Sequence, residues 1–115
     1  MNWIELKSSS EVLQVKDNSL AKPAEFFVIF KHSTRCGTSR MSRNLFESEW
    51  TDANAVYLIN VVESRDASNT AASIFNVTHE SPQVLLIQNG NCIFHDSHSG
   101  IDASEIISRM RSEPA

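Results

Sequence analysis

Two kinds of hydrophobic pattern run along this chain. Glu25 to Lys31 holds the unbroken apolar run Phe26-Phe27-Val28-Ile29-Phe30, and Ala55 to Val62 is a second β-rich run. Neither alternates with polar residues, so both predict strands buried on two faces. Trp3-Ile4-Glu5-Leu6 alternates like a short edge strand. Elsewhere the spacing is helical. Val12, Leu13 and Leu20 follow the serines Ser8 to Ser10 and precede Pro23, which predicts a capped helix over about residues 10 to 20. Met41, Leu45, Phe46 and Trp50 step by four, one and four, placing them on one face of a helix from Gly37 to Trp50 that starts at or beside Cys36. Ala67, Ala71, Ile74 and Phe75 predict a third helix capped by Ser64 or Asp66, and Ala103, Ile106, Ile107 and Met110 a fourth that begins near Asp102. Val84 to Ile87 and Cys92 to His95 flank Gln88-Asn89-Gly90-Asn91, and Asn-Gly between apolar runs is the strongest short-range hairpin signal.

The resulting order is β-α-β-α-β-α-β-β-α. Strands alternating with helices imply crossovers and parallel pairing, and the hairpin adds antiparallel strands at one side. An α/β fold follows, with a mixed central sheet between two helical layers. In such sheets the functional site lies outside the carboxyl ends of the strands, and Cys36 falls where the central strand gives way to its helix.

A chain of 115 residues fits one domain, 1–115, able to bury a core without disulfides or a structural metal. A net charge of -4 argues against a nucleic-acid partner. The longest apolar stretch is far short of a membrane span, and the N-terminus lacks a basic-then-apolar leader, so the expected setting is cytoplasmic, away from membranes. Two cysteines are too few for a secreted disulfide framework, and each thiol needs its own explanation.

Lys31 to Ser39 carries most of the chemical signal. A cysteine at a helix N-terminus faces unpaired N–H groups and the positive end of the macrodipole, which favour thiolate over thiol. Residues 31 to 43 contain Lys31, Arg35, Arg40 and Arg43 and no acid, so four of the chain's ten Lys and Arg residues gather around Cys36. Gly37 leaves the backbone open to an approaching sulfur, and Ser39 occupies the place of the resolving cysteine in a C-x-x-C pair. The motif is therefore monothiol, and a mixed disulfide on Cys36 must be resolved by a second molecule. Cys92, between Asn91 and Ile93 on a hairpin strand, reads as a packing residue. His32, His79, His95 and His98 have no compact ligand spacing with Cys36 or one another, so no metal site is assigned. No serine lies in a G-x-S-x-G elbow, which leaves a hydrolase unsupported. The segment His79-Glu80-Ser81-Pro82-Gln83 precedes a strand, and the topology brings it beside Cys36. Pro82 is there either an ordinary turn residue or a cis residue exposing the backbone of Ser81.

With these residues in view, the chain resembles the thioredoxin superfamily, and more closely the monothiol bacilliredoxins of the general-stress type. The resemblance rests on K-H-S-T-x-C-x-x-S at Lys31 to Ser39, H-E-S-P-Q at His79 to Gln83, I-Q-N-G at Ile87 to Gly90 and H-x-S-H-S at His95 to Ser99. It implies a thioredoxin-like three-layer fold, a cis Pro82, and removal of bacillithiol or a related small thiol from mixed disulfides on client proteins. Cys36 is then the nucleophile, and Ser81 and Pro82 form the substrate-side loop. No bound cofactor is implied. The small thiol is a co-substrate, and the partners are S-thiolated clients, that thiol and its disulfide reductase. Arg40, Arg43 and Lys31, with His32 beside them, are the candidates to meet the malate carboxylates of bacillithiol, or else only raise the local potential; Arg35, Gly37 and Ser39 would support the thiolate. Those proteins usually read C-P-I-S where this chain has Cys36-Gly37-Thr38-Ser39. Gly in place of Pro restores a backbone donor near the sulfur and loosens the helix start. C-G-T-S is also similar to the C-G-F-S of monothiol glutaredoxins that carry iron-sulfur clusters, although the Lys31 to Cys36 spacing does not fit their thiol-binding lysine. A non-catalytic thioredoxin-like adaptor is a third reading.

Overall fold

In the computed structural model, which describes residues 1–112, the chain runs β1 (Trp3–Glu5), α1 (Ser9–Ala21), β2 (Phe26–His32), α2 (Gly37–Glu49), β3 (Val56–Asn60), α3 (Arg65–Ile74), β4 (Gln83–Gln88), β5 (Asn91–Ser97), a 3₁₀ turn (His98–Gly100) and α4 (Ala103–Ser112). The sheet order is β1-β3-β2-β4-β5. β1 and β2 pair parallel to β3, whereas β4 is antiparallel to β2 and β5 to β4. The expected element order, the edge position of the first strand and the central position of the second all hold.

The two faces of β2 explain its unbroken apolar run. Val28 and Phe30 pack with Phe46 of α2, Trp50 just past its end, and Ile106 and Met110 of α4. Ile29 points the other way, into Val12 and Val15 of α1 and Ala67 and Ala71 of α3. The rings of Phe30, Phe46 and Trp50 stand 5.2 and 5.3 Å apart in sequence along this contact, which ties α2 to the sheet. Ser8 caps α1 by accepting from Glu11 N–H, and the Glu11 carboxylate accepts from Lys7 N–H. At the hairpin, Asn89 and Gly90 both adopt positive φ, 51° and 77°, as a primed turn requires. A Cβ on Gly90 would also meet Leu20, and Gly90 N–H donates to the buried Ser19 hydroxyl.

Three details differ from the pattern. Met41 and Leu45 do not share the buried face of α2: Met41 is 74% and Leu45 56% exposed, while Ser39, Phe46 and Trp50 are buried. One residue turns a helix by about 100°, so Met41 and Leu45 form a stripe rotated off the Phe46 stripe. In α1 the buried set is Val12, Val15 and Ser19, with Leu13 and Leu20 exposed. Ser64 is the N-cap of α3 but makes no side-chain cap bond, and Asp66 lies inside the first turn.

Candidate active site

Beyond His32 the chain turns through Ser33–Arg35, and Cys36 becomes the N-cap residue of α2 with extended backbone angles, φ −113° and ψ 118°. Its carbonyl accepts Arg40 N–H at 3.1 Å and its own N–H donates to the Ser33 carbonyl at 3.3 Å. The half-buried side chain forms no cap bond and no disulfide, so the sulfur stands at the positive end of the helix uncommitted. β4 runs antiparallel to β2 with Gln83 opposite Lys31, so the loop entering β4 lies at the same end of the sheet as the loop leaving β2. That entering loop carries a cis Ser81–Pro82 bond. The Pro82 carbonyl accepts His98 N–H at 3.0 Å, and the 3₁₀ turn that begins at His98 packs against α2. Thiol, cis-proline loop and 3₁₀ turn therefore form one edge of the molecule.

Ser39, at the resolving position, is fully buried. Its hydroxyl accepts Ser33 N–H at 3.0 Å and shares a 2.9 Å hydrogen bond with His32 Nδ1. Ser39 is thus tied to the loop that carries the thiol, not to the sulfur itself. Burial, then the nearby Arg43, holds His32 below the usual histidine range, so the imidazole is neutral near pH 7.

The basic cluster divides. Arg40 folds back to donate to the Thr34 carbonyl at 3.0 Å, and its guanidinium lies over Gly37. Arg35 is exposed in the same loop, and Gly37 is exposed at the first helical position. Arg43 lies 5.4 Å from the centre of the Trp3 ring, a cation–π contact with β1 rather than an open site. His32 is buried against α2 and not available to solvent. Lys31 departs furthest from expectation: it is fully buried, and its Nζ donates to the Ser68 carbonyl at 3.1 Å and bonds His79 Nδ1 at 3.2 Å. Strand alternation is the cause, because Lys31 shares the face of Ile29 toward α1 and α3, whereas α2 packs on the face of Phe30. Lys31 and His32, both buried, cannot meet a substrate carboxylate in this arrangement, which leaves Arg40, Arg35 and the half-buried Arg43.

Apart from Ser81, the polar residues around the cis-proline loop are not among the candidates the sequence offers as site residues. Glu80 accepts from the Ser97 hydroxyl at 2.6 Å and lies 3.4 Å from His98 Nε2. That Ser97 bond, ahead of His98, holds the Glu80 carboxyl below the usual range. Gln83 donates from Nε2 to the Thr78 carbonyl at 2.9 Å, while its Oε1 and the Ser81 hydroxyl are buried without partners among the described residues. The H-E-S-P-Q and H-x-S-H-S segments contain all of these except Thr78, so the motifs were the available signal. Cys92 half-buries among the α1 and α3 side chains, donates to the Phe94 carbonyl and is pushed by burial up to about 11. It pairs with Ile87, four residues along β4 from Gln83 and roughly 13 Å from the active edge at strand spacing. Among the described residues no three His, Cys, Asp or Glu side chains gather as a metal site, and no helix is long and apolar enough to cross a membrane.

Comparison with solved structures agrees with the fold. A structure described as a candidate oxidoreductase with a thioredoxin fold is 27% identical, covers 96% of this chain and 94% of its own, and superposes with a TM-score of 0.78. Thioredoxin NaTrxh from Nicotiana alata is 20% identical, with 96% and 90% coverage and a TM-score of 0.69. Fasciola hepatica thioredoxin is 14% identical, with 94% and 96% coverage and a TM-score of 0.67. The family model described as monothiol bacilliredoxin BrxC matches residues 4–106, and the chain belongs to that family of thioredoxin-fold thiol oxidoreductases.

Proposed function

We propose that this protein removes bacillithiol, or a related small thiol, from mixed disulfides on client proteins in the cytoplasm. The observation that carries the reading is a lone thiol at a helix N-cap, at the same end of the sheet as a cis-proline loop, with a buried serine where a resolving thiol would stand. The Cys36 thiolate attacks the small-thiol sulfur of the mixed disulfide. The client sulfur leaves with the bond's electron pair and takes a proton, and the small thiol stays disulfide-bonded to Cys36. A second small thiol, as thiolate, attacks that small-thiol sulfur, expelling the Cys36 thiolate and leaving as the small-thiol disulfide for a separate reductase. The backbone of Ser81 aligns the incoming disulfide, and Arg40 and Arg35 meet the carboxylates that bacillithiol brings near the reacting sulfur.

Turnover of a bacillithiolated client tests the mechanism: Cys36→Ser abolishes it and Cys92→Ala keeps most of it. A Cys36–Cys92 disulfide as the main oxidised form would replace it with a dithiol mechanism. Specificity is read by comparing Arg40→Gln on bacillithiolated and cysteinylated versions of one client. Carboxylate recognition requires a much larger loss of kcat/KM on the first, and equal losses would leave Arg40 a general electrostatic role.

A further inference from the structure

Lys31 is an unusual residue to find wholly buried in the central strand of a sheet, because among the described residues no carboxylate accompanies it. Its two hydrogen-bond partners come from different elements, the Ser68 carbonyl of α3 and Nδ1 of His79 in the loop that leads to Pro82. The Ser68 hydroxyl also lies 3.1 Å from the same Nδ1. Across the β2–β4 pair, Lys31 is in register with Gln83, so the two side chains share a face. Gln83 holds the Thr78 carbonyl through Nε2, and its buried Oε1 has no partner among the described residues. Two of the three ammonium protons of Lys31 are used among the described residues, so a third donor stands on the same face as this orphan acceptor. The start of the 78–82 loop is thus held by the side chains of Lys31, at His79, and of its register partner Gln83, at Thr78, and the loop's other end runs directly into Gln83.

The chemistry of the pair fixes a proton. An ammonium has donors only, so next to a charged Lys31 the Nδ1 of His79 must accept, which leaves the proton of the neutral ring on Nε2. We infer that Lys31 is a positioning residue: its buried ammonium clamps the 78–82 loop to α3 and holds His79 as the Nε2–H tautomer, keeping the cis-proline loop in register with Cys36. The inference deepens the thiol-disulfide reading and rests on it for its kinetic consequence, but not for the clamp itself.

The charges around the pair set the pH window. Burial brings Lys31 from 10.5 to about 8, so it is mostly charged at pH 7. Burial, then Lys31, then Arg65 of α3 hold His79 below the usual histidine range, and Glu80 in the loop opposes them. From β3 and β4 the register partners of Lys31 are the uncharged Ile59 and Gln83, and the buried positions of α1 are Val12, Val15 and Ser19. The clamp is complete only above the titration of His79 and below that of Lys31. At higher pH a neutral amine can accept as well as donate, and the constraint on the tautomer is lifted.

The test begins with the unmodified protein. The imidazole nitrogen NMR signals of His79 should show a bare Nδ1 and a protonated Nε2 at pH 7, and should change between pH 7 and 9.5 as Lys31 loses its proton. A protonated Nδ1 at pH 7, or signals that cross this range unchanged, overturns the inference whether or not the protein reduces any disulfide. The kinetic arm uses His79→Asn, whose amide oxygen can stand where Nδ1 accepts, and His79→Leu, which cannot accept; the position lies in a loop and is exposed overall though its ring is partly covered, which spares folding. His79→Leu should lose on the order of 10- to 100-fold in kcat/KM on an S-thiolated client, the scale of a small misplacement. His79→Asn should keep most of the activity, and iodoacetamide should alkylate Cys36 equally fast in both. Equal activity in the two variants, or alkylation falling in step with kcat/KM, would overturn the positioning role. No turnover by the wild type would overturn the functional reading instead and leave the NMR result to decide the clamp.

Discussion

Replacing Ser39 by Ala removes a single oxygen that holds the thiol-bearing loop from two sides. The hydroxyl is fully buried and bonded to Ser33 N–H and His32 Nδ1 at 3.0 and 2.9 Å. Leaving a buried polar group unpaired costs about 1–3 kcal/mol. Ser33 is half-buried and can recruit water, so its share belongs at the low end; His32 is 2% exposed and takes the larger one. The better helix propensity of Ala returns up to ~0.5 kcal/mol. The net loss is then about 2–3 kcal/mol, a large part of the 5–15 kcal/mol typical of a domain, and lowers the urea midpoint by about 1–2 M for an ordinary slope. Urea unfolding followed by tryptophan fluorescence reads this directly. A double-mutant cycle with His32→Ala should return a coupling of about 1 kcal/mol or more, and amide exchange at Ser33 to Cys36 should speed up. A loss under about 0.5 kcal/mol, or strict additivity with His32→Ala, would refute the view that Ser39 pins the loop.

Phe46→Ala, which removes the ring between Phe30 and Trp50, should cost about 3–5 kcal/mol in the same assay; a cost below about 2 kcal/mol would mean that other contacts hold α2 to the sheet. The unfolded chain keeps the Lys31 proton up to about 10.5 while the native protein releases it near 8, so between these values the unfolded state binds more protons and stability gains from rising pH. Measured as wild type minus Lys31→Met, this contribution should climb by at most about 1.4 kcal/mol per pH unit, and a flat or falling difference would contradict it. Cys92 has the opposite sign, because burial raises its thiol from 9.0 to about 11. Its contribution should fall over that range and vanish in Cys92→Ala, and a rising one would show that the thiol is not desolvated.

The elements were legible because each has a local cause. Asn89-Gly90 marks the only hairpin turn among the described residues by the positive φ that both positions need, and the apolar run in β2 exists because one strand serves two cores. Helix faces were less legible. In α2, Met41 and Leu45 fit a helical stripe as well as Phe46 and Trp50 do, and what separates them is contact with Phe30, a residue far away in sequence. Hydropathy supplies the period of an amphipathic helix, but the phase comes from the sheet it packs on.

The same distinction governs the site. Cys36 could be placed because a strand-to-helix junction is local, whereas the cluster of cations around it was counted along the chain without regard to direction. Period-two alternation in β2 separates neighbours that the count treats alike. His32 has the parity of Phe30 and turns toward α2, where it meets Ser39; Lys31 has the parity of Ile29 and turns toward α3, where it meets Ser68 and His79. Each of these buried polar contacts steadies a different half of the reacting edge, the first the loop that carries the thiol and the second the loop that carries Pro82. Two consecutive residues at the end of one strand thus brace both sides of a site that neither of them lines. Burying such groups is costly without partners, and those partners lie seven residues from His32 and 37 and 48 residues from Lys31. The sequence pattern marks the polar residues, and only the packed sheet reveals which loop each one holds.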